Sequence, residues 1–362
     1  MRDRGNVSAA QFFCVLFVSR IIALFTFIIT DAAAYPAGDR GIVFLPFMLA
    51  GAVCAVPVML VIGRKEDRTL FTLTERLSPA VTRGAALIYT AGAVWSAAVS
   101  AVRFELFMST VMYTDAFLTP LLALMLGAAV LIAARGLEPM GRMSVGVLAL
   151  IAVSLAYVAA TTAGEFETAN LEPPLQGGVG TLLKESFFAV ARTGELAAML
   201  ILAPRIHGSV KKGYLRWLAL FGLTISAVYT LILGVTGAYG ERQTFQLYAL
   251  TVLSRIGVIE RLDSLICAIW VLCSLTRLSF HLYVGALYLE KWTPVKPGAK
   301  AYLLLSLPVF GLYLLLSGRI VRFADVLRSG ANEAVFSVLL IVIPLAVWAA
   351  EKIKYRKRRR AV

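Results

Sequence analysis

Apolar runs long enough to cross a bilayer recur along the chain, with short polar segments between them. About 20 residues of helix span the roughly 30 Å hydrocarbon layer. Ten such spans are read, at 8–30, 41–63, 84–112, 119–134, 143–162, 181–204, 217–239, 262–289, 302–317 and 334–350. Between spans 7 and 8, leucines and isoleucines at helical spacing over 246–259 predict a short helix at the membrane surface. Pro46 and Pro57 predict a kinked span 2.

One span breaks the pattern. Span 6 is apolar on both flanks but carries Arg192-Thr193-Gly194-Glu195 in its middle. An ionised group at mid-bilayer costs about 2.5–3.5 kcal/mol on insertion scales, so two charges around a glycine predict an opened helix facing a polar cavity. Three further arginines lie inside spans: Arg20 in span 1, Arg103 in span 3 beside Glu105, and Arg277 in span 8.

Composition agrees with the pattern. Of 362 residues 59% are hydrophobic and 15% charged, against roughly 25% charged in a soluble domain, so the fold class is an all-α polytopic membrane protein. The net charge of +14 does not imply nucleic acid, because the basic residues lie between apolar spans and in a basic tail at 351–362, where anionic lipid head groups meet them. Cys14, Cys54, Cys267 and Cys273 all fall inside spans without metal-ligand spacing and read as small core residues. The first apolar run, 12–30, is longer than a signal-peptide core and is broken by Arg20, so it reads as a retained first helix.

Placing the N-terminus inside puts 23 of the 35 Lys and Arg residues on that side, which makes both termini cytoplasmic. Ten spans divide into two halves of five, residues 8–162 and 181–350, and an odd number per half inverts the second relative to the first. Spans 1 and 6 open the halves and carry the deep charges, as in transporters that bind substrate at the midplane on discontinuous helices. Spans 1 and 6 are therefore the candidates for discontinuity.

The ligand site is read at Arg20, Ile22, Arg192, Thr193, Gly194, Glu195 and Arg277. Glu195 either binds a substrate amine, accepts a proton, or forms a structural ion pair with Arg192 or Arg20. Arg103 and Glu105 point to different faces of one helix and read as solvated or snorkelling. His281 reads as a hydrogen-bonded packing residue rather than a proton relay, and Ser274 and Thr276 as hydroxyls that can contact an ion or a neighbouring helix. There is no triad, metal cluster or phosphate-cradling glycine loop, so no enzyme site, metal or cofactor is expected.

Three stretches carry a family resemblance: Val7-Ser8-Ala9-Ala10-Gln11-Phe12-Phe13 with Arg20, Gly194-Glu195-Leu196 with Pro204, and Ile256-Gly257-Val258-Ile259-Glu260-Arg261-Leu262-Asp263 with Trp270. The chain resembles the spore germination permeases, the B subunits of GerA-type nutrient germinant receptors, within the amino acid, polyamine and organocation transporter superfamily. The resemblance implies a five-plus-five inverted repeat, an amino-acid-like germinant, A and C subunits as partners, and the spore inner membrane as location. Where members often have glycine after the span 1 arginine, this chain has Arg20-Ile21-Ile22-Ala23. The alternative reading on the same fold is a proton- or cation-coupled amino-acid permease.

Overall fold

Backbone amides in hydrocarbon find no water, so a spanning segment must satisfy its hydrogen bonds internally, and helix dominates here accordingly. The computed structural model describes residues 7–26, 37–112, 118–171, 173–241, 243–254, 263–317 and 331–360. In chain order the helices are α1 (Ala9–Thr26), α2 (Phe44–Ile62), α3 (Leu70–Leu77), α4 (Pro79–Phe107), α5 (Leu118–Arg135), α6 (Leu137–Thr162), α7 (Gly178–Ala191), α8 (Met199–Leu202), α9 (Val210–Glu241), α10 (Gln246–Leu253), α11 (Asp263–Leu289), α12 (Ala299–Ser317), α13 (Ala331–Ser337) and α14 (Ile343–Arg360).

Among the described residues eight helices are long and apolar enough to cross a membrane. A ninth crossing is the bent pair formed by α7 and the segment Gly194–Arg205, which meet at 49°. The first span contributes a shorter apolar helix, Ala9–Ile21, within α1. The protein is thus a multi-pass membrane protein.

Two helices begin earlier than the apolar pattern alone implies. α6 starts at Leu137 because Leu137, Met140, Gly141 and Ser144 form a buried helical stripe, and Glu138 pairs with Arg142 one turn on at 2.6 Å. α9 starts at Val210, where Val210, Tyr214 and Trp217 are buried while the basic residues between them face outward. Its N-terminus is capped from the α2–α3 loop by Glu66, whose carboxylate accepts from Val210 N at 2.6 Å and Lys211 N at 3.2 Å.

The expected kink of span 2 at two prolines takes a milder form. Pro46 lies in the first turn of α2, where its missing N–H is not needed, and the helix is continuous through Pro57. Of the two candidate discontinuous spans, α1 is continuous from Ala9 to Thr26 and only span 6 is broken. The physical reason is the absence of glycine after Arg20: Ile21, Ile22 and Ala23 leave no residue that favours leaving the helix. The short helix after α9 covers Gln246–Leu253, with Gln246, Leu247, Leu250 and Thr251 buried on its inner face. Positions 255–259 of that segment, and Ile256 to Leu262 of the family-like stretch, lie outside the described residues.

The two long helices α4 and α11 pack along each other through the centre, with Trp270 stacked on Phe107 at 4.2 Å. Around them the contacts occur in corresponding sets: α1 with α9 and α2 with α7, α4 with α12 and α11 with α5, α1 with α6 and α7 with α13. At the positively charged end, a two-residue parallel ladder joins β1 (Val7–Ser8) to β2 (Ile206–His207), tying the entry of α1 to the exit of span 6. At the other end, Asp39 accepts from the amides of Gln176 and Gly177, both at 3.0 Å, and holds the start of α7.

Candidate functional site

The break in span 6 is local. α7 ends at Ala191, Thr193 departs from the helix with ψ 60°, and the chain resumes as a tight 3₁₀ turn over Gly194–Ala198. Gly194 is needed for close approach rather than for a left-handed backbone. A Cβ there would lie 2.3 Å from the ring of Phe336, which packs across the break from α13. The freed backbone groups find partners: Leu196 N bonds to Thr193 O at 3.0 Å, and Tyr288 of α11 donates to Ala197 O at 3.1 Å.

The turn delivers Glu195 into the interior, 2% exposed. Its Oε1 lies 2.6 Å from Nη2 of Arg277 and 3.6 Å from Nε2 of His281, one turn further along α11. Arg277 also donates through Nη1 to the Ser19 carbonyl of α1 at 2.9 Å. Arg20, next in α1, donates to the Ala189 carbonyl of α7 at 3.2 Å and lies within electrostatic reach of Glu195. Three helices are thereby tied in a ring: α1 to span 6 through Arg20, span 6 to α11 through Glu195, and α11 back to α1 through Arg277.

Arg192 takes a different direction. Its Nε forms a close ion pair with Glu333 at the start of the last span, both side chains nearly buried. This pair stands on the far side of the break from the ladder of β1 and β2. Thr193 is buried, and its hydroxyl bonds back to Ala189 O at 3.3 Å.

Beside Glu195 and His281 is a cavity of about 20 Å³, lined also by Tyr89, Ser96, Tyr288 and Phe336 among others. That is room for about one water rather than for an amino acid. Its wall includes a π-helical turn, Val338–Val342, whose Leu339 carbonyl accepts from the Tyr89 hydroxyl at 2.6 Å.

The structure thus brings Arg20, Glu195 and Arg277 together, with Gly194 at the turn and Thr193 and Arg192 beside it. The Ile22 side chain lies outside the described residues. Thr276 donates its hydroxyl hydrogen to Leu272 O at 2.8 Å within its own helix. Ser274 is buried, with no hydrogen-bond partner for its hydroxyl among the described residues.

One assignment changes. Arg103 is 8% exposed rather than solvated, and Glu105 is half-buried beside Tyr313, because α4 is a central helix and not a peripheral one. His281, read as a hydrogen-bonded packing residue, is buried with its Nε2 3.6 Å from the Glu195 carboxylate. Its offset of four from Arg277 put it on the same helix face, which was the available signal. Glu333 was missed altogether. It stands one residue before the apolar run at 334–350, and Arg192, a candidate partner of Glu195 on the sequence, pairs with it instead.

The arrangement belongs to a known architecture. The solved structure of MhsT in complex with L-phenylalanine superimposes with a TM-score of 0.59 at 15% identity, covering 96% of this chain and 98% of that one. The fold is therefore shared along nearly the whole length. The family model described as spore germination protein matches residues 6–320, and the chain belongs to that family. No curated protein sequence matches the chain.

Proposed function

We propose that the chain is the membrane subunit of a spore nutrient germinant receptor. It binds an amino-acid-like molecule beside the break in span 6 and passes the resulting rearrangement to A and C subunits. The observation that carries this reading is the Glu195 carboxylate, buried in a helix break, held by Arg277 and 3.6 Å from His281, beside a cavity. Deep ionisable groups are costly in a membrane, and those that occur there are paired and commonly mark a ligand or ion pathway. Family membership supports the germination role, and L-phenylalanine bound in MhsT supports an amino-acid-like ligand on this fold.

Arg20, Glu195 and Arg277 supply the charged contacts in this reading, with His281 beside them, while Thr193 and Gly194 shape the turn. The corresponding packing of α1 with α9 and α2 with α7, and of α4 with α12 and α11 with α5, supports the inverted repeat of residues 8–162 and 181–350. A cavity of about 20 Å³ must widen before such a ligand fits, so binding is coupled to helix movement, as a sensor requires. Both termini lie on the cytoplasmic side of the spore inner membrane, where 23 of the 35 Lys and Arg residues lie. The protein binds and signals, with no catalytic role.

A proton- or cation-coupled permease is the second reading, favoured by the same fold. Reconstituted vesicles separate the two. Saturable binding of a radiolabelled amino acid without accumulation supports sensing, and concentrative uptake supports transport. In the source spore former, deletion should abolish germination on a defined nutrient, with paralogues removed. The wild-type gene should restore it and Glu195→Gln should not; normal germination of the deletion strain on every nutrient counts against the receptor.

A further inference from the structure

A second site lies away from the helix break, on the lipid-facing side of α2 and α9. Ala52, Ala55, Val56, Met59, Leu60 and Gly63 recur at helical spacing and form one face of α2. Tyr214 and Leu215 of α9 form the opposing wall. Between them is an open groove of about 510 Å³, within the range of small-molecule pockets. The alanines make its floor, and Val56 and Leu215 stand about half exposed at its edges. Eleven helical steps from Ala52 to Gly63 give a length of about 16 Å, close to half the roughly 30 Å hydrocarbon layer.

The groove is polar at one end only. α2 stops at Gly63, whose φ of +75° turns the chain out, and Arg64 follows at the groove's mouth with Lys211 facing it from α9. The Arg68 side chain lies against Gly63, within 3.5 Å of where a Cβ would stand. Glu66 in the same loop is already engaged: it accepts from the Ser209 hydroxyl at 3.1 Å and from the amides that open α9. The Tyr214 hydroxyl is also engaged, donating to Gly51 O at 2.8 Å. Cations therefore face the interfacial end of an apolar slot one leaflet deep.

We propose that this groove binds one anionic glycerophospholipid, with an acyl chain along Ala52–Leu60 of α2 and the phosphate between Arg64 and Lys211. Charge complementarity at one end and apolar depth at the other select that occupant over a zwitterionic lipid or a free anion. The site is separate from the basic tail. There, Lys352 lies over the Trp348 ring at 4.2 Å and Lys354 donates to the carbonyls of Arg76 and Leu77 at 2.7 and 2.9 Å, so both are held within the chain.

The test uses the full chain, stripped of lipid in a neutral detergent and studied by native mass spectrometry and thermal denaturation. Phosphatidylglycerol, phosphatidylcholine and inorganic phosphate are added at matched ionic strength. One retained phosphatidylglycerol and a raised Tm are expected, with no comparable effect from phosphatidylcholine or inorganic phosphate. Arg64→Gln with Lys211→Gln should weaken phosphatidylglycerol binding roughly thirtyfold, at about 1 kcal/mol for each cation. Ala52→Trp removes no charge but fills the apolar end, and should also lower retention. Equal retention of phosphatidylcholine, an effect reproduced by inorganic phosphate, or unchanged phosphatidylglycerol binding in Ala52→Trp would overturn the proposal. So would a protein dimer that persists regardless of lipid, since the groove would then be an interface between copies.

Discussion

Arg277 holds Glu195 at 2.6 Å with one terminal nitrogen while the other reaches the Ser19 carbonyl of α1 at 2.9 Å. The carboxylate is therefore not an isolated charge but part of a junction at which three helices meet. Removing Arg277 alone leaves Glu195 buried against His281 with its nearest cation gone. Arg277→Ala should destabilise the protein by about 3–5 kcal/mol, whereas neutralising both partners by Glu195→Gln with Arg277→Gln should cost less than the sum of the single changes. A double-mutant cycle in thermal denaturation checks this, and strict additivity would show that the two residues do not interact.

Gly194 leads to a prediction of the opposite kind, in which adding an atom does the damage. A Cβ would lie 2.3 Å from the Phe336 ring, so Gly194→Ala must displace that ring or the α13 turn that carries it. A loss of about 1–3 kcal/mol is expected. Phe336→Leu in the same chain should recover part of it. Equal Tm values for wild type and Gly194→Ala would mean that the ring moves freely.

The ion pair of Arg192 with Glu333 ties the break to the last span. Glu333→Ala leaves a nearly buried guanidinium without this partner and should lower the Tm clearly. The exchanged pair, Arg192→Glu with Glu333→Arg, should recover more stability than either single change retains. If both singles match wild type, the pair is a solvated surface contact.

The Tyr89 hydroxyl and the Leu339 carbonyl, 2.6 Å apart, join α4 to the π-helical turn of the last span. Tyr89→Phe keeps the ring and removes the donor, so a loss of about 0.5–1.5 kcal/mol is expected, read as a fall in Tm. An unchanged Tm would show that the carbonyl is satisfied without the tyrosine.

Much of this was legible in the sequence because membrane spans announce themselves by length and hydropathy. The break at Arg192 to Glu195 was legible for the same reason, since charges around a glycine cannot continue an ordinary lipid-facing helix. What could not be read was direction. Arg192 and Glu195 are three apart, yet one faces the last span and the other α11, because the break between them rotates the chain. Glu333 was invisible as a partner because pairing across 141 positions is a property of packing, not of spacing. Arg103 was misplaced for a related reason: a helix at the centre of the bundle buries what an outer helix would let snorkel. Gly194 marks the opened helix in the sequence, but the close approach of Phe336 that it permits is not legible, because no local pattern connects the two residues.

The central claim is that an amino-acid-like molecule binds at the Glu195 cluster, and it is tested most directly by a thermal-shift screen of the purified chain. Wild type and Glu195→Gln are compared against the twenty L-amino acids, with nucleosides and sugars alongside. A ligand at about 100 times its Kd should add roughly 2.7 kcal/mol to stability. At least one amino acid is predicted to raise the Tm of wild type and to lose that effect in Glu195→Gln. An amino acid that stabilises both proteins equally, or stabilisation by nucleosides or sugars alone, would contradict the account.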